Sequence, residues 1–258
     1  MNIIDQFTDV DFTRDPRYVR GDLGVPFARL FGGESYERAV GVLTDAEIAR
    51  AMEQMEAEGG GADKLVTRIY DQRQEGSCVA NATSQSHEIV QALQFGLENV
   101  VHLSAISLYK RIGRSPQSGA MVSDGIDEMR KRGILPLDTP ENRARFGGSV
   151  MPNTGFSTPY PSGWEETAKQ FAGFEGHVVE SVQGILSALC NQHPVVVGRE
   201  GHSICYCRPL QRDGRRVVKY ANSWGMWGDQ GYGYDSENQI RKSANWAFAL
   251  RSVVVPTK

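Results

Sequence analysis

Apolar positions recur at helical spacing through the first half of the chain and alternate or run together through the second. Ala82, Ser86, Ile89 and Leu93 fall at steps of four, three and four, one face of an α-helix that Gly96 ends. A second helix starts at Leu103-Ser104, with Ser104 as N-cap and Ile106, Tyr109 and Ile112 on its face. A third covers Ser123 to Arg132, carries Ile126 and Met129, and stops at Gly133. Ahead of the first, Leu65 to Tyr70 reads as a short strand feeding a polar, glycine-containing loop.

From Gly155 the pattern changes. Phe174 to Val182 reads as a strand, Gln183 to Cys190 as a short helix, and Val195-Val196-Val197 as a buried strand. His202 to Arg208 and Arg216 to Ala221 flank Gln211-Arg212-Asp213-Gly214, whose Asp-Gly pair signals a hairpin. Trp246, Phe248 and Leu250 alternate in a last strand ending near Pro256. Helices first and strands afterwards predict an α+β fold with a helical lobe over 62–152 and a β-rich lobe over 153–258.

Residues 1–61 stand apart. Phe7 to Tyr36 mixes charges, prolines and scattered aromatics without sustained periodicity. Thr44 and Glu47 then form a capping box, Ile48, Met52 and Met55 continue an amphipathic helix, and Gly59-Gly60-Gly61 closes it. This N-terminal extension is expected to pack on the rest of the chain or to dock a protein partner.

A length of 258 residues is enough for a substantial core, and a formal charge of −3 gives no global attraction to nucleic acid or anionic membrane. No run approaches the ~20 apolar residues of a membrane span. Met1 to Gln6 is neither basic nor followed by an apolar stretch, so no signal peptide is expected and the four cysteines belong to a reducing compartment. Cys205 and Cys207 share one face of a strand. Zinc is the alternative to buried thiols there, but no second Cys/His pair stands at ligand spacing.

The remaining chemistry lies in two stretches. Tyr70-Asp71-Gln72-Arg73-Gln74-Glu75-Gly76-Ser77-Cys78 delivers a cysteine to the first turn of the Ala82–Leu93 helix. Unpaired N–H groups and the helix dipole favour thiolate there. Downstream come Gly201-His202-Ser203 and Asn222-Ser223-Trp224-Gly225. A nucleophilic cysteine needs a base, and the base needs a group to fix its ring; Cys78, His202 and Asn222 are these three in chain order.

From about Asp71 to Tyr232 the chain resembles the papain-like cysteine peptidases. That resemblance implies a two-lobe papain-like fold, helical lobe followed by barrel-like lobe, with a cleft between them for an extended peptide or protein substrate. It implies Cys78 as nucleophile and His202 as general base and then acid. Asn222 would orient the ring beneath a roof of Trp224, and Gln72 would be the side-chain oxyanion donor. Gly119, in Ser118-Gly119-Ala120, matches the place where the family pairs with substrate backbone. No metal or organic cofactor is implied, and no nucleic acid. The family's bacterial and viral members without signal peptides imply a cytoplasmic location or a place in a viral particle. For residues 1–61 the resemblance offers a cleft-plugging pro-segment.

The sequence also departs from the family. Val79 stands where Trp is usual, Glu75 replaces the family's cysteine three residues before the nucleophile, and the stretch from Pro194 to His202 is short. Two other functions therefore stay beside peptidase: a structural or docking protein with little activity, and an acyl transferase or amidase using the same residues. His87, His102, His177 and His193 are expected to be exposed or structurally hydrogen-bonded, and Asp138 and Glu141 to be loop charges.

Overall fold

The segregation of helices and strands is the one the hydrophobic pattern predicts. The computed structural model describes residues 3–23, 34–199, 201–243 and 247–256. In chain order its helices are α1 (Ile3–Gln6), α2 (Tyr36–Ala39), α3 (Asp45–Ala57), α4 (Cys78–Phe95), α5 (Ala105–Ile112), α6 (Val122–Arg132), α7 (Pro140–Phe146), α8 (Trp164–Lys169), α9 (Val182–Cys190) and α10 (Glu237–Ser243). The strands are β1 (Gly173–Val179), β2 (Val195–Arg199), β3 (His202–Arg212), β4 (Arg215–Ala221), β5 (Tyr232–Ser236) and β6 (Ala247–Val253). They form an antiparallel sheet in the order β1-β6-β2-β3-β4-β5. Trp246, expected in the last strand, lies outside the described residues. No described helix is long and apolar enough to cross a membrane.

Two hydrophobic cores press on opposite faces of this sheet. Side chains alternate along a strand, so Val196, Cys205, Cys207, Phe248 and Leu250 face one core with α4 and α5. Val195, Val197, Ile204, Tyr206, Ala247 and Ala249 face the other, with α9. This two-sided burial explains the unbroken Val195–Val197 run. Between β3 and β4, Asp213 (φ 46°) and Gly214 (φ 74°) make a two-residue turn with both φ angles positive, the turn that Asp-Gly signals.

Helix α4 is more enclosed than one apolar face predicts. Every residue from Cys78 to Ala92 is buried, whereas Leu93, expected on the inner face, is 38% exposed. Of its buried polar side chains Glu88 and Gln91 are matched, whereas Thr83 Oγ1, Ser84 Oγ, Gln85 Nε2 and His87 Nε2 are buried without a hydrogen-bond partner. The Glu88 carboxylate accepts from the Tyr70 hydroxyl (2.6 Å), the Leu103 N–H (2.7 Å) and the Arg68 guanidinium (3.0 Å), with His102 at 3.2 Å. Gln91 accepts from Val101 N–H at 2.9 Å and contacts His87 at 3.1 Å. These bonds correct the expected strand over Leu65–Tyr70. Ala62–Leu65 is a 3-10 turn, and Val66 to Tyr70 runs extended without a ladder, held by side chains reaching Glu88. Glu141 is likewise not in a loop but in α7, where Thr139 caps the helix and Pro140 supplies a preset first position.

The N-terminal residues complete the second core. Phe12, Tyr36 and Ile48 are fully buried in it, and Met52 nearly so. Phe12 sits edge-on to His202, Tyr220, Trp224 and Trp227, and the Arg199 guanidinium lies 4.5 Å from its centroid. Arg199, itself buried, pairs with buried Asp235 at 2.8 Å and donates to the Val10 carbonyl at 2.7 Å. The backbone of Phe7 and Asp9 pairs with Tyr234 on β5, the sheet's edge strand. Removing the Phe12 ring should therefore cost what a core aromatic costs. Phe12→Ala is expected to lower unfolding free energy by about 3–5 kcal/mol, read from the urea midpoint. A change below 1 kcal/mol would show that the N-terminal segment merely lies on the surface.

Candidate active site

The loop before α4 is fastened on both sides. Gly76 N–H donates to the Pro116 carbonyl at 2.7 Å. Gln72 N–H donates to the Ser223 carbonyl (2.8 Å), and Gly225 N–H to the Tyr70 carbonyl (2.9 Å). Cys78 follows as the first residue of α4, where backbone N–H groups lack intrahelical partners. Glu75, standing where the resemblance expects a cysteine, accepts from Gly155 N–H (3.0 Å) and Phe156 N–H (2.9 Å). A carboxylate thus clamps the neighbouring loop. Val79 is buried against Gly125 of α6, where a Cβ would stand only 2.7 Å from its Cγ1.

His202 opens β3 and Asn222 directly follows β4, so antiparallel pairing brings them together. His202 Nε2–H donates to Asn222 Oδ1 at 2.8 Å, and the same oxygen accepts from Ser223 N–H at 2.8 Å. The Trp224 ring tilts by 31° over the imidazole at 4.7 Å, shielding that bond, and Trp224 is 3% exposed. His202 Nδ1 is buried without a hydrogen-bond partner, so the ring is held at one nitrogen only.

Ser223 is a residue the sequence reading missed. Its hydroxyl donates to Gln72 Oε1 at 2.6 Å, which turns the carboxamide so that Nε2 donates to the Glu75 carbonyl at 2.7 Å. One residue thereby joins the segment that orients His202 to the one that carries Gln72. Only its place between Asn222 and Trp224 signalled this.

The resemblance offered a cleft-plugging segment within residues 1–61, but not which residues cross. Gly21 and Asp22 N–H both donate to the Gly201 carbonyl, at 2.8 and 2.9 Å. On the other side Ala120 N–H donates to the Gly21 carbonyl (2.7 Å), and Leu23 N–H to the Ala120 carbonyl (3.0 Å). Residues 21–23 thus span from the Gly119–Ala120 wall to the wall that carries His202. A Cβ at Gly21 would collide with Cys78 Sγ, so only glycine lets the chain cross the sulfur. Gly119, expected to admit a substrate backbone, has φ 69°, and a Cβ there would meet the Gly21 carbonyl oxygen at 2.9 Å. The polypeptide occupying that place is the chain's own.

This cover corrects the expected thiolate. Burial, reinforced by the Asp22 carboxylate, pushes the Cys78 thiol far above its usual range. Burial draws His202 down to about 4, against the opposing hydrogen bond to Asn222. Both shifts favour the neutral forms, and no hydrogen bond joins the two groups. The remaining histidines are structural. His87 contacts Gln91, His102 contacts Glu88, His177 contacts the Glu34 carbonyl and His193 contacts the Tyr36 hydroxyl. Cys205 and Cys207 are buried free thiols, and no cluster of potential metal ligands occurs among the described residues.

No protein-family model matches the chain, and no curated protein matches its sequence. Solved structures do match in fold. Xylellain, a cysteine protease from Xylella fastidiosa, superposes with a TM-score of 0.55 at 19% identity, over 72% of this chain and 83% of that one. A recombinant stem bromelain precursor gives 0.58 at 16% identity, over 93% and 78%. Digestive procathepsin L 3 of Tenebrio molitor gives 0.56 at 16%, over 74% and 67%. The fold is that of the papain-like cysteine proteases.

The buried histidines set the acid limit of this arrangement. His87, His193 and His202 all hold a proton less tightly when folded, at about 4, than in the unfolded chain at 6.5. Their contribution is complete above pH 6.5 and shrinks as pH falls toward 4, each by up to about 1.4 kcal/mol per pH unit. Denaturant midpoints measured from pH 7.5 to 4.5 should fall steadily below 6.5. A flat profile would show that these rings are not buried neutral.

Proposed function

We propose that this chain is a cysteine peptidase acting through a thioester, with its site closed in the state described. The observation that carries the reading is the His202–Asn222 bond at 2.8 Å beneath Trp224, which leaves Nδ1 free to serve a thiol. Asn222 holds the ring without adding a formal charge.

With the cleft open, water and substrate replace the Gly21–Asp22 segment, and the burial that keeps sulfur and imidazole neutral is relieved. Nδ1 of His202 takes the Cys78 proton, and Sγ attacks the carbonyl carbon of the scissile peptide. The resulting oxyanion is held by the Cys78 N–H and by Gln72 Nε2–H, whose amide Ser223 orients. As the C–N bond breaks, the proton on Nδ1 passes to the leaving amine. Water then attacks the thioester, giving its proton to Nδ1, and the acid leaves as Sγ regains a proton. A nucleophile other than water would make the same chemistry an acyl transfer.

A docking protein with a silent site is the second reading, favoured by the neutral, covered thiol. Peptide-library cleavage with Cys78→Ala and His202→Ala as blanks separates the two: signal in the parent chain alone supports catalysis, and equal traces from all three support docking. Gln72→Ala is expected to lower kcat by about 10²–10³ with KM nearly unchanged, because its donor serves charge that develops in the transition state. A change confined to KM would remove Gln72 from the oxyanion site. Asn222→Ala should lower turnover without unfolding the chain, and an unaltered rate would remove it from the orienting role.

A further inference from the structure

We propose that Gln85 is a positioning residue for Asn222: its carboxamide oxygen accepts from Asn222 Nδ2–H and so keeps the Asn222 oxygen turned to His202. The contact rests on geometry alone; only its consequence for turnover rests on the reading proposed above.

Asn222 is held at its oxygen and not at its nitrogen. Oδ1 accepts from His202 Nε2–H and from Ser223 N–H, whereas Nδ2 is buried without a hydrogen-bond partner among the described residues. A buried N–H left unpaired costs its full desolvation, so a partner is expected close by. Asn222 borders a seam between α4 and the place where β3 begins and β4 ends, and that seam is too narrow to admit a water molecule. The partner is therefore a side chain. Most polar groups around the seam are turned elsewhere. The Tyr70 hydroxyl serves Glu88 (2.6 Å), and Asn81 Nδ2–H donates to the Ser77 carbonyl (2.8 Å). Ser203 Oγ–H donates to the Val197 carbonyl (3.1 Å), and Ser223 Oγ–H to Gln72 Oε1 (2.6 Å).

Gln85 is left. It is 3% exposed, and its Nε2 is likewise buried without a partner among the described residues. Two unpaired amide nitrogens on one seam are reconciled by a half-turn of one carboxamide. The terminal torsion of Gln is broad and roughly two-fold, so the turn costs little. It sets Oε1 where Nε2 stands and gives Asn222 Nδ2–H its acceptor.

The consequence falls on the tautomer of His202. An overturned Asn222 would present Nδ2–H to Nε2, and the ring would then carry its proton on Nδ1, where it cannot take one from Cys78. Ser223 N–H resists that turn at the oxygen, and Gln85 resists it at the nitrogen. Gln85 also lies about two helical turns beyond Cys78 on α4. One helix thus carries both the thiol and the group that steadies the orienter of the imidazole.

The test compares Gln85→Met, which has the length but no acceptor, with Gln85→Glu, which keeps an oxygen at either end of the group. The readout is the nitrogen NMR spectrum of the His202 ring in the folded full chain at neutral pH, which reports the tautomer. The parent and Gln85→Glu should show the Nε2–H form. In Gln85→Met the Nδ1–H fraction should rise by about three- to tenfold, the worth of one neutral hydrogen bond. An unaltered ratio in Gln85→Met, or the same shift in both variants, would overturn the proposal. A second readout needs no substitution. Exchange of the Asn222 side-chain amide protons is compared with that of Gln91, whose buried Nε2–H donates to the Val101 carbonyl at 3.1 Å. Rates within about tenfold of each other support the contact, and faster exchange at Asn222 overturns it. In peptide turnover, kcat should fall in Gln85→Met with KM unchanged, and the fall should vanish in an Asn222→Ala background. Equal falls in both backgrounds overturn the positioning role. Neither NMR readout uses turnover, so an inert chain that shows both signals ends the peptidase reading and leaves the contact standing.

Discussion

The sheet that carries His202 and Asn222 is buried on both faces, and the rest of the arrangement depends on that. One face rests on α4, which places Cys78; the other rests on α9, α3 and the N-terminal residues. Strand alternation divides the side chains between the two cores, so neither face can lose its cover without exposing apolar surface. Phe12 shows the coupling at its most direct. It packs on the imidazole from behind while the chain a few residues later crosses the sulfur in front. The position of His202 and the closing of the cleft are thus properties of one continuous segment.

Desolvation is the dominant influence on the site's charge state. It raises the thiol and lowers the imidazole, the two directions that dissolve an ion pair. The helix N-terminus still favours anion at Cys78, but the first-turn dipole is worth about 0.3–1 kcal/mol at exposed sites and cannot outweigh full burial beside the Asp22 carboxylate. The charge state therefore belongs to the covered conformation and not to the residues alone.

What could be read from the amino acids follows the range of the interactions. The pairing of His202 with Asn222 beneath Trp224 was legible because these residues stand in local motifs, and the Asp213-Gly214 hairpin because a two-residue turn dictates its own residues. The papain-like architecture followed from those motifs together with the segregation of periodicities. A plugged cleft was offered by the resemblance alone, and the residues that close it were not legible. Phe12 and Gly21 carry no repeating pattern, and their partners lie far along the chain. Glu88 shows the same limit: a carboxylate in mid-helix is satisfied in the interior by Arg68, Tyr70 and Leu103, all distant in sequence. Tyr70 and Arg68 in turn looked like strand residues because the hydrogen bonds that hold them extended come from a helix side chain.

The pairing of Phe7 and Asp9 with Tyr234 has a consequence for biogenesis. During translation the residues that cover the outer face emerge early, and the edge strand that receives them emerges late. Such distant contacts form slowly and leave partners exposed in the interval. His202, too, reaches its place only when β3 and β4 pair, next to that same edge. His202 and the cover of the groove, which bonds to Gly201, thus both wait for the late-emerging strands, and Cys78 gains its full burial only with them.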